Sequence, residues 1–284
     1  MRNHMYMILA AVCLGTIGVL VKLIGTDVHF MTLNFYRIFI GFVFLMMVVP
    51  FMDKNCFKVT KKDIKDYIFI GVVMAIAISL YTTANLFAPI QNVVLINYMY
   101  PFLVLVLAYF YLGEKITSTK IITLILAIIG LVIINPFKFG EGNIGNLLSL
   151  LGAVFYAIMI TKMRWEDRTH SISSVLWFFL FASIVLLPFP FIFGFGNLSG
   201  VWVHVLILAI VSTGLAYLFY NLALQKIEAE IGSIIAMIIT PLLSIILAVL
   251  IINETLNMRI LLGGGLLVIA GVYLEMHKKK SKRR

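Results

Sequence analysis

The chain has 284 residues, of which 62% are hydrophobic and only 12% are charged. Soluble proteins carry about 25% charged residues, and a globule of this length has too small an interior to bury so much apolar surface. The composition therefore excludes a soluble globule and a disordered chain. Two cysteines, Cys13 and Cys56, form no metal-binding spacing, so a disulfide-stapled fold is excluded and no metal site is expected.

Ten mostly apolar stretches follow one another, each near the 20 residues that a helix needs to cross the hydrocarbon core of a bilayer. Their continuous hydrophobicity favours helices over a barrel, whose strands alternate apolar and polar residues. We predict an all-α polytopic membrane protein with spans at 5–24, 31–52, 66–87, 92–112, 119–136, 144–163, 172–195, 201–224, 231–252 and 258–276. The first stretch has no small-residue cleavage site after it and is expected to be retained.

The formal net charge of +10 is distributed unevenly along the chain. Eighteen of the 22 lysine and arginine residues lie in the two tails and in the even-numbered loops. Because basic residues stay on the cytoplasmic side of a membrane, both termini are predicted to be cytoplasmic, in a multi-pass protein of the cell (plasma or inner) membrane. The basic tail 277–284 is expected to set topology and contact anionic lipid, and no nucleic-acid partner is expected.

A shift of 140 residues brings the two halves of the sequence into register. The coincident residues of the first half are Lys22, Pro50, Pro101 and Glu114, and their partners are Lys162, Pro190, Pro241 and Glu254. Such matches indicate an internal duplication, with one repeat at 1–138 and a second at 139–284. Each repeat holds five spans, an odd number, so the second copy enters the membrane inverted, which is a design typical of transporters.

Each half carries a proline in its fourth span and a glutamate 13 residues later, within Leu112-Gly113-Glu114 and Ile252-Asn253-Glu254. The pair Tyr36-Arg37 stands early in the second span. With ten spans in two inverted halves, these features resemble the drug/metabolite transporter superfamily, EamA type, over essentially the whole chain. The second copy departs from the pattern, with Asn253 in place of glycine and Trp177 opposite Arg37. The resemblance implies a secondary transporter of amino acids, amines, drugs or other metabolites, mostly an exporter.

The two prolines lie near mid-span and are candidates for hinge or gating positions. A proline leaves the carbonyl four residues earlier without its helical partner, here the carbonyls of Asn97 and Met237. Such groups at membrane depth must meet protein or a water-filled cavity. A packing kink is the alternative, and the symmetric placement of Pro101 and Pro241 favours a cavity-lining hinge.

Polar side chains form stripes on several spans, and polar groups on membrane helices seldom face lipid. Serine and threonine residues such as Thr213, Thr240 and Ser244 are expected to make hydrogen bonds between helices. The larger polar residues predict a central pocket for a small amphipathic solute, since aromatic rings with polar tips suit one. The pocket candidates are Arg37, Tyr81, Asn85, Asn97, Tyr100, Tyr156, Tyr217, Tyr220 and Asn221.

Ionisable residues within spans are expensive and are therefore functional candidates. Arg37 could bind a carboxylate or phosphate, or it could snorkel or pair with a carbonyl. Lys22 is expected to be an interfacial anchor. Glu114 and Glu254 are expected to fix the turn into the next helix through its first amides, with gating or proton coupling as the alternative.

The pattern as a whole predicts a secondary transporter that moves a small organic solute by alternating access, with export of amino acids or related metabolites as the first choice. A quaternary-amine or drug carrier is the alternative, because tyrosine-rich stripes can form a cation-binding cage. Outside the carrier class, a membrane scaffold or embedded enzyme stays open. No catalytic motif, cofactor or metal is expected, since Gly263-Gly264-Gly265 lies inside a span and is expected to be a close-packing surface. The oligomeric state is left open.

Overall fold

The computed structural model describes residues 2–113, 117–134, 143–165, 172–224 and 229–282. Within these ranges the secondary structure is helical and contains no strand, which confirms the all-α prediction. A π-helical segment covers Ile207–Leu215. The α-helices are α1 (Arg2–Gly15), α2 (Ile17–Ile24), α3 (Phe30–Met52), α4 (Lys61–Phe87), α5 (Ile90–Asn97), α6 (Tyr100–Leu112), α7 (Ser118–Ile134), α8 (Asn143–Trp165), α9 (Ile172–Leu186), α10 (Pro188–Phe193), α11 (Trp202–Leu206), α12 (Ala216–Leu224), α13 (Ala229–Ile252) and α14 (Met258–Lys282).

Seven helical stretches of the described chain are long and apolar enough to cross a membrane, and three further apolar stretches are shorter. The shorter stretches, Ser118–Ile134, Ile238–Ile252 and Met258–Tyr273, fall on the predicted fifth, ninth and tenth spans. Large apolar side chains also cover the outside of the bundle, where Phe51 is 88% exposed and Phe110 is 72% exposed. Outward apolar surface of this kind is stable only against lipid. The protein is therefore a multi-pass, helical membrane protein.

Two of the long stretches are interrupted near their middle by non-helical residues. In the first, Thr16 separates α1 from α2, and its hydroxyl donates to the Cys13 carbonyl at 2.7 Å. The carbonyl of Gly15, at the end of α1, accepts a hydrogen bond from the Ser244 hydroxyl of α13 at 2.8 Å. The interruption therefore exposes a backbone acceptor that a neighbouring helix satisfies, as membrane depth requires.

The second interruption separates α5 from α6 at Tyr98 and Met99. Pro101 stands in the first turn of α6, where its missing N–H leaves no hydrogen bond unmade. By contrast, Pro241 lies inside the continuous helix α13. The two prolines, both predicted as hinge or gating positions, therefore differ in their surroundings: of the pair, Pro101 stands at a helix break and Pro241 does not.

The core is built mainly from four helices. Helices α4 and α8 pack along one another, with α3 and α9 against them, and their largest buried cluster includes Phe179, Met74 and Val175. Helices α7 and α14 form a separate pair, where Gly130 and Gly263 meet so closely that a β-carbon on Gly263 would lie 2.7 Å from the Gly130 carbonyl oxygen. Of the predicted glycine surface, Gly263 and Gly264 are packed, whereas Gly265 has nothing within contact distance.

Helix α13 contacts the two parts of the interrupted stretch very differently. It packs on α5 through a cluster formed by Ile90, Ala248 and Val19 of α2. Among the residues that the structure describes, it makes no comparable contact with α6, which packs instead on α8 and α7. We name the two ends of the bundle after the lysines that lie there: the Lys22 end, which holds the start of α5, and the Lys162 end, which holds the start of α4. Helices α5 and α13 thus pack together at the Lys22 end.

Candidate functional site

A central cavity of about 660 Å³, including its opening, lies where the helix interruptions meet. It is lined by residues from α1, α2, α3, α4, α5, α6, α8, α12 and α13, so both halves of the sequence contribute to its wall. Seven of the nine pocket candidates stand around it: Arg37, Tyr81, Asn97, Tyr100, Tyr156, Tyr217 and Tyr220. The other lining residues are Leu14, Ile17, Ala77, Ile78, Tyr98, Gly152, Ala236 and Thr240.

The tyrosine rings are fixed by contacts with one another and with the core. Tyr100 and Tyr156 meet edge to face, with ring centroids 4.8 Å apart. Tyr217 packs edge to face on the buried Phe179 at 5.4 Å. Such pairs hold rings in a defined orientation. The cavity wall is therefore a rigid aromatic surface whose phenolic tips supply the polar groups.

Tyr98 is a lining residue that the sequence interpretation missed. It is two positions from Tyr100, and on an uninterrupted helix that spacing places two side chains about 200° apart. Because the helix is broken at Tyr98 and Met99, both rings reach the same cavity, with centroids 5.8 Å apart. The only sequence signal for this arrangement is the proline that follows.

Two predicted pocket residues, Asn85 and Asn221, do not line the cavity. The side-chain amide of Asn85 donates to the Tyr81 carbonyl at 2.8 Å, and that of Asn221 donates to the Tyr217 carbonyl at 2.9 Å. Each is buried against its own helix, four residues after its acceptor. A helical stripe in the sequence cannot distinguish a side chain that faces a cavity from one that bonds to its own backbone.

Arg37 lies in the wall of the cavity and is only 2% exposed. Its Nε donates to the Thr213 hydroxyl at 2.8 Å, and its Nη1 donates to the Thr82 hydroxyl at 3.1 Å. Neither the snorkelling nor the carbonyl pairing that the sequence left open is observed, because the guanidinium is buried and its acceptors are hydroxyls. Thr82 is a partner that the sequence did not single out.

The π-helical segment explains how Thr213 reaches Arg37. Its hydroxyl donates to the Leu208 carbonyl, five residues earlier, at 2.7 Å, so its oxygen is free to accept from Nε of Arg37. A π-helix is rare and is found most often at functional sites. Here it fixes the hydroxyl that orients the buried guanidinium.

At the Lys22 end, Lys22 and Glu254 form an ion pair of 2.9 Å. Their side chains are 24% and 9% exposed. The sequence, which predicted an interfacial anchor at Lys22, did not indicate this ion pair, which joins the first predicted span to a residue just after the ninth. The two residues are 232 positions apart, a separation at which sequence spacing gives no indication of contact.

Glu254 also accepts hydrogen bonds from the first amides of α5. Its Oε1 lies 2.9 Å from the Ile90 nitrogen, and its Oε2 lies 3.4 Å from that of Gln91. The prediction that Glu254 caps the next helix is therefore wrong: it caps a helix of the other half. The next helix, α14, is capped by Asn257 instead, whose side chain accepts from the Ile260 nitrogen at 3.0 Å.

Residues at corresponding ends of α6 and α13 adopt the same backbone conformation. Gly113 follows α6 with φ 65°, and Asn253 follows α13 with φ 59°. Asparagine is the residue that best replaces glycine in this left-handed region. The departure of the second copy from the glycine pattern therefore preserves the local geometry. Glu114, the counterpart of Glu254, lies outside the described residues.

At the Lys162 end, Lys162 pairs with Asp66 of α4 at 3.1 Å. This ion pair joins α8 to α4, again across the two halves of the sequence. Among the residues that the structure describes, no group of three or more His, Cys, Asp or Glu side chains could hold a metal ion.

The sequence is similar to a known protein family and to several known proteins. The EamA-like transporter family matches residues 1–135 and 143–275. An uncharacterized transporter of Archaeoglobus fulgidus is 25% identical over 94% of this chain and 93% of its own length. An S-adenosylmethionine uptake transporter of Rickettsia conorii is 22% identical, with 98% and 94% covered. A pseudopaline exporter of Pseudomonas aeruginosa is 24% identical over 64% and 63%.

A crystal structure of a protein that is 18% identical superposes on this chain with a TM-score of 0.69. The match covers 96% of this chain and 95% of the other, so the two share a fold. The family match extends over both halves of the sequence, and the relatives are named as transporters rather than as enzymes. The chain therefore belongs to the EamA-like transporter family, and it is a membrane transporter of a small molecule.

Proposed function

We propose that this protein is a secondary carrier that moves a small organic solute through the tyrosine-lined cavity by alternating access. The observation that carries the proposal is the cavity itself, which lies between helices of both halves and collects seven polar candidates. A scaffold or an embedded enzyme has no need of a cavity built across two repeats. Ten spans in two inverted five-helix repeats are part of the proposal, and the matched ends of α6 and α13 support it.

The sidedness follows from the basic residues. With both termini cytoplasmic in the cell membrane, the Lys22 end faces outward and the Lys162 end faces the cytoplasm. At the outer end Glu254 binds Lys22 and the start of α5, whereas toward the cytoplasm no comparable contact joins the described residues of α6 and α13. The structure then corresponds to a state in which the bundle is closed toward the outside, while α6 and α13 are apart on the cytoplasmic side.

Alternating access requires this arrangement to reverse. Opening outward breaks the contacts of Glu254, and the break between α5 and α6 lets α5 move while α6 stays packed on α8. We assign the hinge to Tyr98, Met99 and Pro101, and the outer gate to Glu254 with Lys22. Glu114 and Pro241 keep their predicted gating role as proposals only.

Amino acids or related metabolites are the first candidates as solutes, and export is the first candidate direction. The relatives include both an uptake transporter for S-adenosylmethionine and a pseudopaline exporter, so both directions occur among similar proteins. A quaternary amine is the second candidate, because six tyrosines line the cavity and offer ring faces to a cation: Tyr81, Tyr98, Tyr100, Tyr156, Tyr217 and Tyr220.

Flux into proteoliposomes containing the pure protein tests the proposal. Amino acids, quaternary amines and phosphorylated sugars are offered to the wild type and to Tyr156→Ala and Tyr217→Ala. We expect saturable flux of at least one solute, reduced about tenfold or more in both variants, since each ring contributes roughly 1–3 kcal/mol of contact with the solute. Tyr109→Ala is the matched control, because Tyr109 is 45% exposed on the outside of the bundle. If the folded protein transports no solute of any class, the carrier proposal is refuted. If both cavity variants transport the solute as fast as the wild type does, the assignment of the site is refuted.

A further inference from the structure

We propose that Arg37 is the receptor for a single carboxylate group on the transported solute, so that the substrate class is a small carboxylic acid with an apolar or aromatic body. The inference rests on the proposed carrier function and names its substrate class. It is carried by a buried charge, its hydrogen bonds and the cavity that it borders.

The charge of Arg37 has no carboxylate partner among the described residues. The described ion pairs are those of Lys22 with Glu254 and of Lys162 with Asp66, both at the ends of the bundle. The groups that interact electrostatically with Arg37 are the phenols of Tyr81, Tyr156 and Tyr217, which are neutral at physiological pH. A buried cation without a counterion is costly, and it is retained where an anion joins it during function.

The geometry leaves part of the guanidinium available. An arginine has five N–H donors in a planar fork. Nε and Nη1 are held by the hydroxyls of Thr213 and Thr82, and Nη2 makes no hydrogen bond to any residue that the structure describes. Because the two threonines fix the plane of the fork from two different helices, the guanidinium is oriented before the solute arrives. Such preorganisation favours a planar, bidentate acceptor.

The rest of the lining distinguishes a carboxylate from other anions and from cations. Arg37 is the one basic residue among those that line the cavity, and the other polar groups are phenols, the Asn97 amide and the Thr240 hydroxyl. A phosphate monoester carries about two negative charges at neutral pH, which one arginine does not balance. A quaternary amine would meet the buried positive charge directly. A monocarboxylate matches the charge, and the tyrosine rings can pack on its apolar remainder.

Thermal unfolding of the purified protein in detergent tests the inference without requiring transport. The probes are matched pairs: benzoate with benzamide, and each L-amino acid with its C-terminal amide. We expect at least one acid to raise Tm, with an apparent affinity at least tenfold higher than that of its amide. Arg37→Gln should weaken binding of that acid at least tenfold, because hydrogen bonds to a charged group are the strong ones. Arg259→Gln removes the same charge at an exposed position and should leave the affinity unchanged.

Three results would overturn the inference: an acid and its amide that stabilise the wild type equally, an Arg37→Gln variant that keeps the affinity, or no acid that stabilises the wild type. If Arg37→Gln does not fold, Arg37→Lys keeps the buried charge and removes the planar fork, and it should bind the acid more weakly than the wild type does. The acid and amide comparison on the wild type needs no variant. If a quaternary amine is transported but no acid raises Tm, the carboxylate inference is refuted and the carrier proposal stands. If acids raise Tm but no solute is transported, the carrier proposal is refuted and the carboxylate site stands.

Discussion

Glu254→Gln is expected to open the Lys22 end of the protein, which is the outer end in the proposed orientation. The carboxylate of Glu254 holds together three parts of the bundle at the Lys22 end: Lys22 on α2, the Ile90 amide on α5, and its own helix α13. Glutamine has nearly the same shape and keeps one oxygen for the Ile90 amide, but it removes the charge. The variant therefore weakens the closed outer end while leaving the shape of the contact in place.

The magnitude follows from the distances. Two unit charges 2.9 Å apart attract by about 6 kcal/mol at an effective dielectric constant near 20. The net value is much smaller, because the Lys22 side chain is 24% exposed and water screens the pair, so that about 1 kcal/mol remains. The weakened bond to the Gln91 amide and the lost interaction with the α5 helix dipole add roughly 0.5–1 kcal/mol. A total of about 1–2 kcal/mol shifts the equilibrium toward the outward-open state by about 5–30-fold.

Cysteine labelling measures the shift. Ala248 is fully buried against Val19 and Ile90 at the Lys22 end, so a cysteine placed there reacts with a water-soluble maleimide only when that end opens. With Cys13 and Cys56 replaced by alanine, Glu254→Gln should raise the labelling rate of Ala248→Cys by about 5–30-fold, provided that opening is in fast equilibrium.

Two further variants separate the ion pair from the helix cap. Lys22→Gln leaves both amide contacts of Glu254 in place. It should therefore raise the labelling rate of Ala248→Cys less than Glu254→Gln does. The exchange Lys22→Glu with Glu254→Lys restores an ion pair, but it places the ammonium group of the new lysine beside the start of α5. An ammonium group cannot accept a hydrogen bond from a backbone amide, and it is repelled by the positive end of the helix dipole. The exchange should therefore fail to restore the slow rate. An unchanged or slower rate in Glu254→Gln, or full restoration by the exchange, would refute this reasoning.

Three smaller predictions concern single positions. Asn253→Ala should lower stability by about 1 kcal/mol because φ is 59° there, whereas Asn253→Gly should be near neutral, as measured by thermal unfolding. Gly263→Ala should cost about 1–3 kcal/mol in the same assay, since its β-carbon would lie 2.7 Å from a backbone oxygen; Gly265→Ala, with open space, is the control. Burial and the Asp53 carboxylate raise the pKa of the Cys56 thiol, so alkylation of Cys56 near neutral pH should be slower than that of free cysteine and should accelerate as pH rises through that higher pKa. A rate equal to that of free cysteine would contradict this prediction.

The spans could be predicted because lipid imposes a long apolar run on each of them, and that constraint is visible in any stretch of the sequence. Five of the six cavity tyrosines, all but Tyr98, could be predicted for a related reason: polar residues are rare enough in the spans that most of them belong to the interior. Asn85 and Asn221 show the limit of that argument. Their amide nitrogens donate to carbonyls of their own helices, while their Oδ1 atoms have no hydrogen-bond partner among the described residues. No periodicity in the sequence distinguishes such a side chain from one that faces the cavity.

Contacts between distant parts of the chain could not be predicted. The glutamate motif suggested a local cap, yet Glu254 caps α5, whose first residue is 164 positions away. The binding of Arg37 by Thr82 and Thr213 likewise depends on the packing of three helices and on a π-helical segment that was not predicted from the sequence. Packing geometry decides these partners, and it is absent from a single sequence.

The unequal surroundings of Pro101 and Pro241 have a consequence for the proposed alternating-access cycle. The stretch of α5 and α6 is broken at Tyr98 and Met99, whereas α13 is continuous, so the movement that opens one side of the protein is not the mirror image of the movement that opens the other. In that cycle the inward-open and outward-open states differ in free energy even without solute. The solute gradient then acts on a preference that the fold already has.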